Sequence, residues 1–97
     1  MSHPPMETLI KQRDRLTKKL PAGSAWQHYK NRHFYIVENL SLREDADTWS
    51  VNYRDEISGV TFNRLAETFL ENVKNADGET VARFSKVKEE RRNDETK

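Results

Sequence analysis

The sequence predicts a mainly β domain, a small antiparallel barrel preceded by one helix, and three observations carry that prediction. Apolar and polar side chains alternate at period two through Trp49, Val51 and Tyr53 against Ser50, Asn52 and Arg54. Short runs rich in aromatic and β-branched residues are separated by tight polar turns such as "KNR" and "NADG". The start of the chain repeats its apolar residues at helical spacing, through Met6, Leu9, Ile10, Leu16 and Leu20.

Taken in order, residues 4–20 read as an amphipathic helix. Pro4 and Pro5 stand at its start, Glu7 near its positive end, and Lys18 and Lys19 near its negative end. "PAGS" at 21–24 ends the helix, since Pro21 cannot continue it and Gly23 frees the chain to turn. Residues 26–30 and 33–42 read as a hairpin around "KNR", with Phe34 and Ile36 expected inside and His33, Tyr35 and Val37 on the other face. "REDAD" at 43–47 is a polar loop before the period-two strand, and "DEISG" at 55–59 is a turn before Val60 and Phe62 resume the alternation. "RLAETFLENV" switches to helical spacing through Leu65, Phe69, Leu70 and Val73, and Asp77-Gly78 signals a hairpin. Val81, Phe84 and Val87 are expected in one final strand, and the pattern is lost in "KEERRNDETK".

Four or five short strands with one helical turn before the last describe an antiparallel barrel of the SH3-like kind. The organisation expected is a helix and linker over 1–24, the barrel over 25–87 and a disordered charged tail over 88–97. The leader helix would cap an open end of the barrel or dock on a partner, because a helix of this length is marginal alone in water.

Composition narrows the function classes. Hydrophobic and charged residues each make up 34% of the 97-residue chain, so only a small core can be buried. Seventeen Lys and Arg face sixteen Asp and Glu, a net charge of +1, so nucleic acid or anionic lipid would have to be held by a local patch. The absence of cysteine excludes disulfides, a thiolate nucleophile and cysteine-ligated zinc. "MSHPPMETL" lacks the basic start and apolar run of a signal peptide, and no stretch reaches membrane-spanning length, so a cytoplasmic protein is expected.

"HYKN" at 28–31, Phe34 and Ile36, and "FNRLAETFLENV" at 62–73 resemble the bacterial and phage family called domain of unknown function 1653. Its members look like His-Tyr/Phe-Lys-Gly, then Tyr-x-Val, then Trp-x-Arg-Pro-x-x-x-Phe-x-Glu-x-Val. His28, Tyr29 and Lys30 match directly, and Arg64, Phe69, Glu71 and Val73 hold the spacing of the last motif. "DG" followed by Arg83 and Phe84 matches the closing strand, and the similarity covers about residues 26–87. Asn31, Phe62 and Leu65 replace the family's glycine, tryptophan and proline. Leu42, Arg43, Glu44 and Asp45 stand where a His-Ser-Glu-Thr stretch is common, so no role of that loop carries over. The resemblance implies an SH3-like barrel and no particular activity, and members that look like small accessory modules favour a binding role.

No catalytic constellation stands out. Ser41, Ser50, Ser58 and Ser85 lie in no nucleophile elbow, three glycines make no phosphate loop, and no cofactor is implied. Glu44, Asp45, Asp47, Asp55 and Glu56 read as solvated loop charges. His28 and His33 are five residues apart, which in a strand sets them on opposite faces and argues against a shared metal.

The candidate binding residues are Trp26, His28, Tyr29, Lys30, Arg32 and Tyr35, with His33 beside them, and Arg64. Rings interleaved with cations can stack bases, and Arg64 in an aromatic setting can hold a carboxylate or phosphate or pair with Glu67 or Glu71. The leading expectation is a non-enzymatic protein-binding module, monomeric or weakly dimeric, with exposed aromatics beside the loops at 43–47 and 55–59. Nucleic-acid binding through 26–35 and anionic-ligand sensing at Arg64 are the alternatives.

Overall fold

The computed structural model describes residues 4–87. Helix α1 (Met6–Lys19) starts behind Pro5, whose carbonyl accepts the N–H groups of Thr8 and Leu9, and it stops where Pro21 blocks another turn. Only its C-terminal half is well anchored. Leu16 and Leu20 pack on the core and Gln12 accepts a hydrogen bond from Trp49 Nε1 at 2.9 Å, whereas Met6 and Ile10 stay exposed. At the linker, Ser24 Oγ donates to the Pro21 carbonyl at 2.6 Å and Gly23, at φ 87°, donates to the Val37 carbonyl.

The remaining elements are β1 (Ala25–His28), β2 (Phe34–Arg43), β3 (Thr48–Asp55), β4 (Thr61–Leu65), the one-turn helix α2 (Ala66–Phe69), β5 (Asn72–Lys74), β6 (Thr80–Ala82) and β7 (Phe84–Lys86). Five strands form one antiparallel sheet in the order β4-β3-β2-β1-β7, and β5 and β6 form a separate hairpin closed by the Asp77-Gly78 turn. The fold is therefore mainly β with an N-terminal helix. Its ladders do not join β4 to β7, so strand pairing leaves the five-stranded sheet open at both edges.

The core lies on one face of that sheet. Trp26, Tyr35, Val37, Val51, Tyr53 and Phe84 project there, and Leu20, Ala66 and Phe69 cover them. The ring of Phe69, delivered by α2, stacks on Phe84 at 4.0 Å and meets Trp26 and Tyr53 edge-on.

Several expectations are corrected. The inward residues at the start of β2 are Tyr35 and Val37, not Phe34 and Ile36. The cause is a β-bulge between Val37 and Asn39. The extra residue, Glu38, shifts the parity, so that Val37 faces Tyr53 while Leu40 and Leu42 face Val51 and Trp49. Val60 and Phe62 are 50% and 42% exposed, because β4 is an edge strand and no element covers that end of it among the described residues. Val73 lies in β5 and not on the helical turn, which ends at Phe69.

The expected final strand is two strands, broken at Arg83. The β6 segment pairs with β5 and the β7 segment with β1. Ser50, placed on the wet face, is buried and tied down: its hydroxyl donates to the Ser41 carbonyl and accepts from Asn63 Nδ2. The expected disordered tail at 88–97 lies outside the described residues.

Candidate functional site

The 26–35 stretch does not form an exposed aromatic platform. Trp26 and Tyr35 are each only 7% exposed, because β1 and β2 are interior strands whose core face is covered by α2. The indole N–H of Trp26 is spent on Ser24 Oγ at 2.9 Å, and the ring of Tyr35 packs edge-on against Tyr53 and Phe84. Of the other expected residues, Lys30 and Arg32 are exposed on the β1–β2 turn, and Arg32 occupies the left-handed region at φ 66°. Tyr29 is half-buried beside Gln27, Arg32 and Val81 in a shallow cavity of about 240 Å³.

The structure instead brings His28, Tyr35 and Arg64 together with residues the sequence reading did not single out. A cavity of about 160 Å³ is lined by His28, Asn31, Tyr35, Tyr53, Phe62, Arg64 and Phe84. Its wall is aromatic, with Phe62 stacked on Tyr53 at 5.8 Å and Tyr35 edge-on to Phe62 at 6.2 Å. The polar groups are donors. Arg64 Nε donates to Tyr53 Oη at 3.2 Å and Asn31 Nδ2 donates to Tyr35 Oη at 3.1 Å. Each phenol is therefore an acceptor inside the structure and keeps its own proton to offer outward.

The expected pairing of Arg64 with Glu67 or Glu71 is absent. Glu71 is bound by Arg83 at 3.1 Å, and no carboxylate of the described residues lies within 4.0 Å of Arg64. The turn holds the opposite wall in place. Asn31 Oδ1 accepts the His33 backbone N–H at 2.8 Å, which aims the amide nitrogen at Tyr35.

His28 sits edge-on to Phe84 at 5.0 Å, and its Nδ1 accepts the Lys30 backbone N–H at 3.1 Å. A neutral ring in that arrangement carries its proton on Nε2. Burial, followed by the positive charges of Arg64, Arg83 and Lys30 and by His33, lowers its pKa from the ordinary 6.5. His28 is thus a neutral donor at pH 7, set in a cationic neighbourhood.

His33 takes no part in this cavity, and its Nδ1 lies 3.4 Å from Asp55 Oδ2. Asp55, read from the sequence as a solvated loop charge, is in fact buried. The backbone N–H of Ile57, at 2.9 Å, holds its pKa below the ordinary carboxylate value against the opposing effect of burial, with further help from His33 and the Ser58 N–H. Among the described residues no three His, Cys, Asp or Glu side chains converge as metal ligands, and no helix is long and apolar enough to cross a membrane.

A larger cavity, about 490 Å³, lies between α1 and the sheet against Leu16, Trp49, Leu65 and Leu70. It is the seam left by the partial docking of the helix.

One signal for the missed residues was present in the sequence. Phe62 and Arg64 are two apart in an extended run and must share a face. Tyr53 joined them only through the register that pairs it with Phe62. Asn31 was noted only as a turn residue and a departure from a glycine.

No curated protein and no solved structure shows significant similarity to the chain. A family model does. It matches residues 24–86, a span that runs from the linker to the end of β7 and includes every residue of the Arg64 cavity, so the chain belongs to the family described as protein of unknown function (DUF1653).

Proposed function

We propose that this domain is a non-enzymatic binding module of the SH3-like kind, and that the Arg64 cavity is its recognition element, taking an anionic group presented by a protein partner. The observation that carries the reading is Arg64 itself. It is a half-buried guanidinium held against aromatic rings by a phenol oxygen, with no carboxylate to neutralise it among the described residues. A cation kept in that state binds a carboxylate or phosphate more strongly than an exposed one, because the low local dielectric strengthens the charge-assisted hydrogen bonds.

The surrounding groups agree. Asn31, the phenols of Tyr35 and Tyr53 and neutral His28 all present donors, and the one acceptor nitrogen of His28 is already taken by Lys30 N–H. Nothing there pairs a nucleophile with a base, which supports binding over catalysis.

Titration with inorganic phosphate, acetate and benzoate, followed by NMR of the Asn31 side-chain amide and Arg64 Nε, tests the reading. Both signals are expected to shift, and Arg64→Gln is expected to abolish the response. No shift at tens of millimolar anion would overturn it. An oligonucleotide bound with strong salt dependence, and released by the double variant Lys30→Gln and Arg32→Gln with Arg64 intact, would replace the proposal with nucleic-acid binding at the turn.

A further inference from the structure

We infer that β4 is a docking edge that accepts an extended peptide as an additional antiparallel strand, with an acidic residue of the peptide placed opposite Arg64. The inference rests on the reading of Arg64 above and names the form in which its anion arrives.

The strand ladder fixes which backbone groups are free. The Asp55 N–H donates to the Val60 carbonyl, and the register continues through Tyr53 with Phe62 and Val51 with Arg64. In an antiparallel pair, hydrogen-bonded couples recur every second residue, so Phe62 and Arg64 spend their backbone groups on β3, as Val60 does its carbonyl, while the Val60 N–H donates to Ser58 Oγ at 3.2 Å. Thr61 and Asn63, the alternate residues, turn theirs away from β3 to the open edge. No other described residue bonds to them, and both residues are exposed.

Most protein edges are blunted by short length, charge, proline or a covering element. The opposite edge, β7, is three residues long and ends in Lys86. The β4 edge has five residues, and its approach is apolar: Ile57 is 79% exposed, and Val60 and Phe62 follow it.

The same geometry dictates the peptide. A residue directly opposite Arg64 on an added antiparallel strand forms a non-hydrogen-bonded couple, in which side chains on the shared face stand closest. A carboxylate at that position meets the Arg64 guanidinium, which has no carboxylate beside it among the described residues. Two residues later in the peptide an apolar side chain falls opposite Phe62, and two later again another falls opposite Val60. The partner is therefore an extended segment of the pattern acidic, any, apolar, any, apolar. Charge complementarity with Arg64 sets its direction and register, and backbone hydrogen bonds to Thr61 and Asn63 hold it.

The test is titration of the isotope-labelled domain with an acetylated peptide whose central residues are aspartate, threonine, valine, threonine and valine. The amides of Thr61 and Asn63 are expected to shift and to exchange more slowly with solvent, and Arg64→Gln is expected to weaken binding about tenfold. N-methylation of the first threonine, whose N–H would meet the Asn63 carbonyl, is expected to abolish binding, and N-methylation of the first valine to leave it intact.

Equal binding of the two N-methylated peptides overturns the inference. Shifts confined to Asn31 and Arg64 also overturn it, while leaving the anion cavity standing. Protection of Thr61 and Asn63 that is indifferent to Arg64→Gln overturns the pairing with Arg64 and counts against the cavity itself. Protection that appears on concentrating the protein without peptide identifies a second copy as the occupant and replaces the peptide.

Discussion

Residues 26–35 and 53–64 both interleave rings with basic side chains, yet the two stretches meet opposite fates. In the first, Trp26 and Tyr35 are core residues, and the bases Lys30 and Arg32 are set apart from them on a turn. In the second, Tyr53 reaches the core while Phe62 stays exposed and Arg64 half-buried, with no carboxylate beside the cation among the described residues. Composition does not separate them. Position in the sheet does: β1 and β2 are flanked by strands on both sides, and β4 has a neighbour on one side only. An aromatic and basic run becomes a surface where the sheet ends, and a core where the sheet continues.

The contrast can be broken most forcefully by truncating one ring from each stretch. Trp26→Ala removes a buried ring that meets Phe69 edge-on, and it is expected to destabilise the domain by about 3–5 kcal/mol in denaturant unfolding. Phe62→Ala, in the exposed stretch, is expected to cost about 1 kcal/mol or less while weakening anion binding. Comparable losses from the two variants would show that β4 is as buried as β1.

Tyr35→Phe tests where the first stretch touches the second. The ring remains in the core and the hydroxyl that accepts from Asn31 is lost, so about 1 kcal/mol of stability and the shift response of Asn31 to phosphate should go together.

Acid separates the stretches by proton linkage. His28 has a lowered pKa in the folded state, so the unfolded chain takes up its proton first, and stability falls as pH drops from about 6.5 toward the folded value. Asp55 has a lowered pKa too. Its contribution is complete above the unfolded carboxylate value and is lost as pH falls through the lower folded one. Unfolding midpoints measured between pH 7 and 3 should therefore decline in two stages, with His28→Asn removing the upper stage and Asp55→Asn the lower. The smallest effect belongs to the turn. The double variant Lys30→Gln and Arg32→Gln is expected to change stability by no more than about 0.5 kcal/mol, since both side chains are exposed.

Much of this architecture was legible from residue pattern. The amphipathic helix, the first hairpin, the Asp77-Gly78 turn and the alternation of β3 follow from local chemistry, and the structure has all of them. Three misreadings share one cause, that pairing partners are distant in the chain. The bulge at Glu38 is stabilised across strands, by Arg54 Nε at 3.1 Å and Thr61 Oγ1 at 3.3 Å, and nothing within "YIVENL" marks the change of parity. The break at Arg83 arises because β6 and β7 answer to different partners, β5 and β1. Arg64 lost its expected carboxylate for the same reason, since Arg83, from beyond the hairpin, takes Glu71. Of the candidate site, the charge was legible and the enclosure was not, because Asn31 and Tyr53 meet Arg64 only through the sheet.

The pairing of Trp26 with Lys86 sets a condition on how the chain matures during synthesis. Strand β1 precedes its outer neighbour by most of the domain, and the Phe84 ring under Phe69 comes with that late neighbour. A nascent chain that has emerged only as far as β4 has a meander of four hairpin-linked strands and lacks every ring contact made by Phe69 and Phe84. Its β1 edge stands open, and Phe69 is not yet in place. Completion waits for the final strand, so folding is expected to be slow for a domain of this size, and premature truncation before Phe84 to leave an aggregation-prone edge.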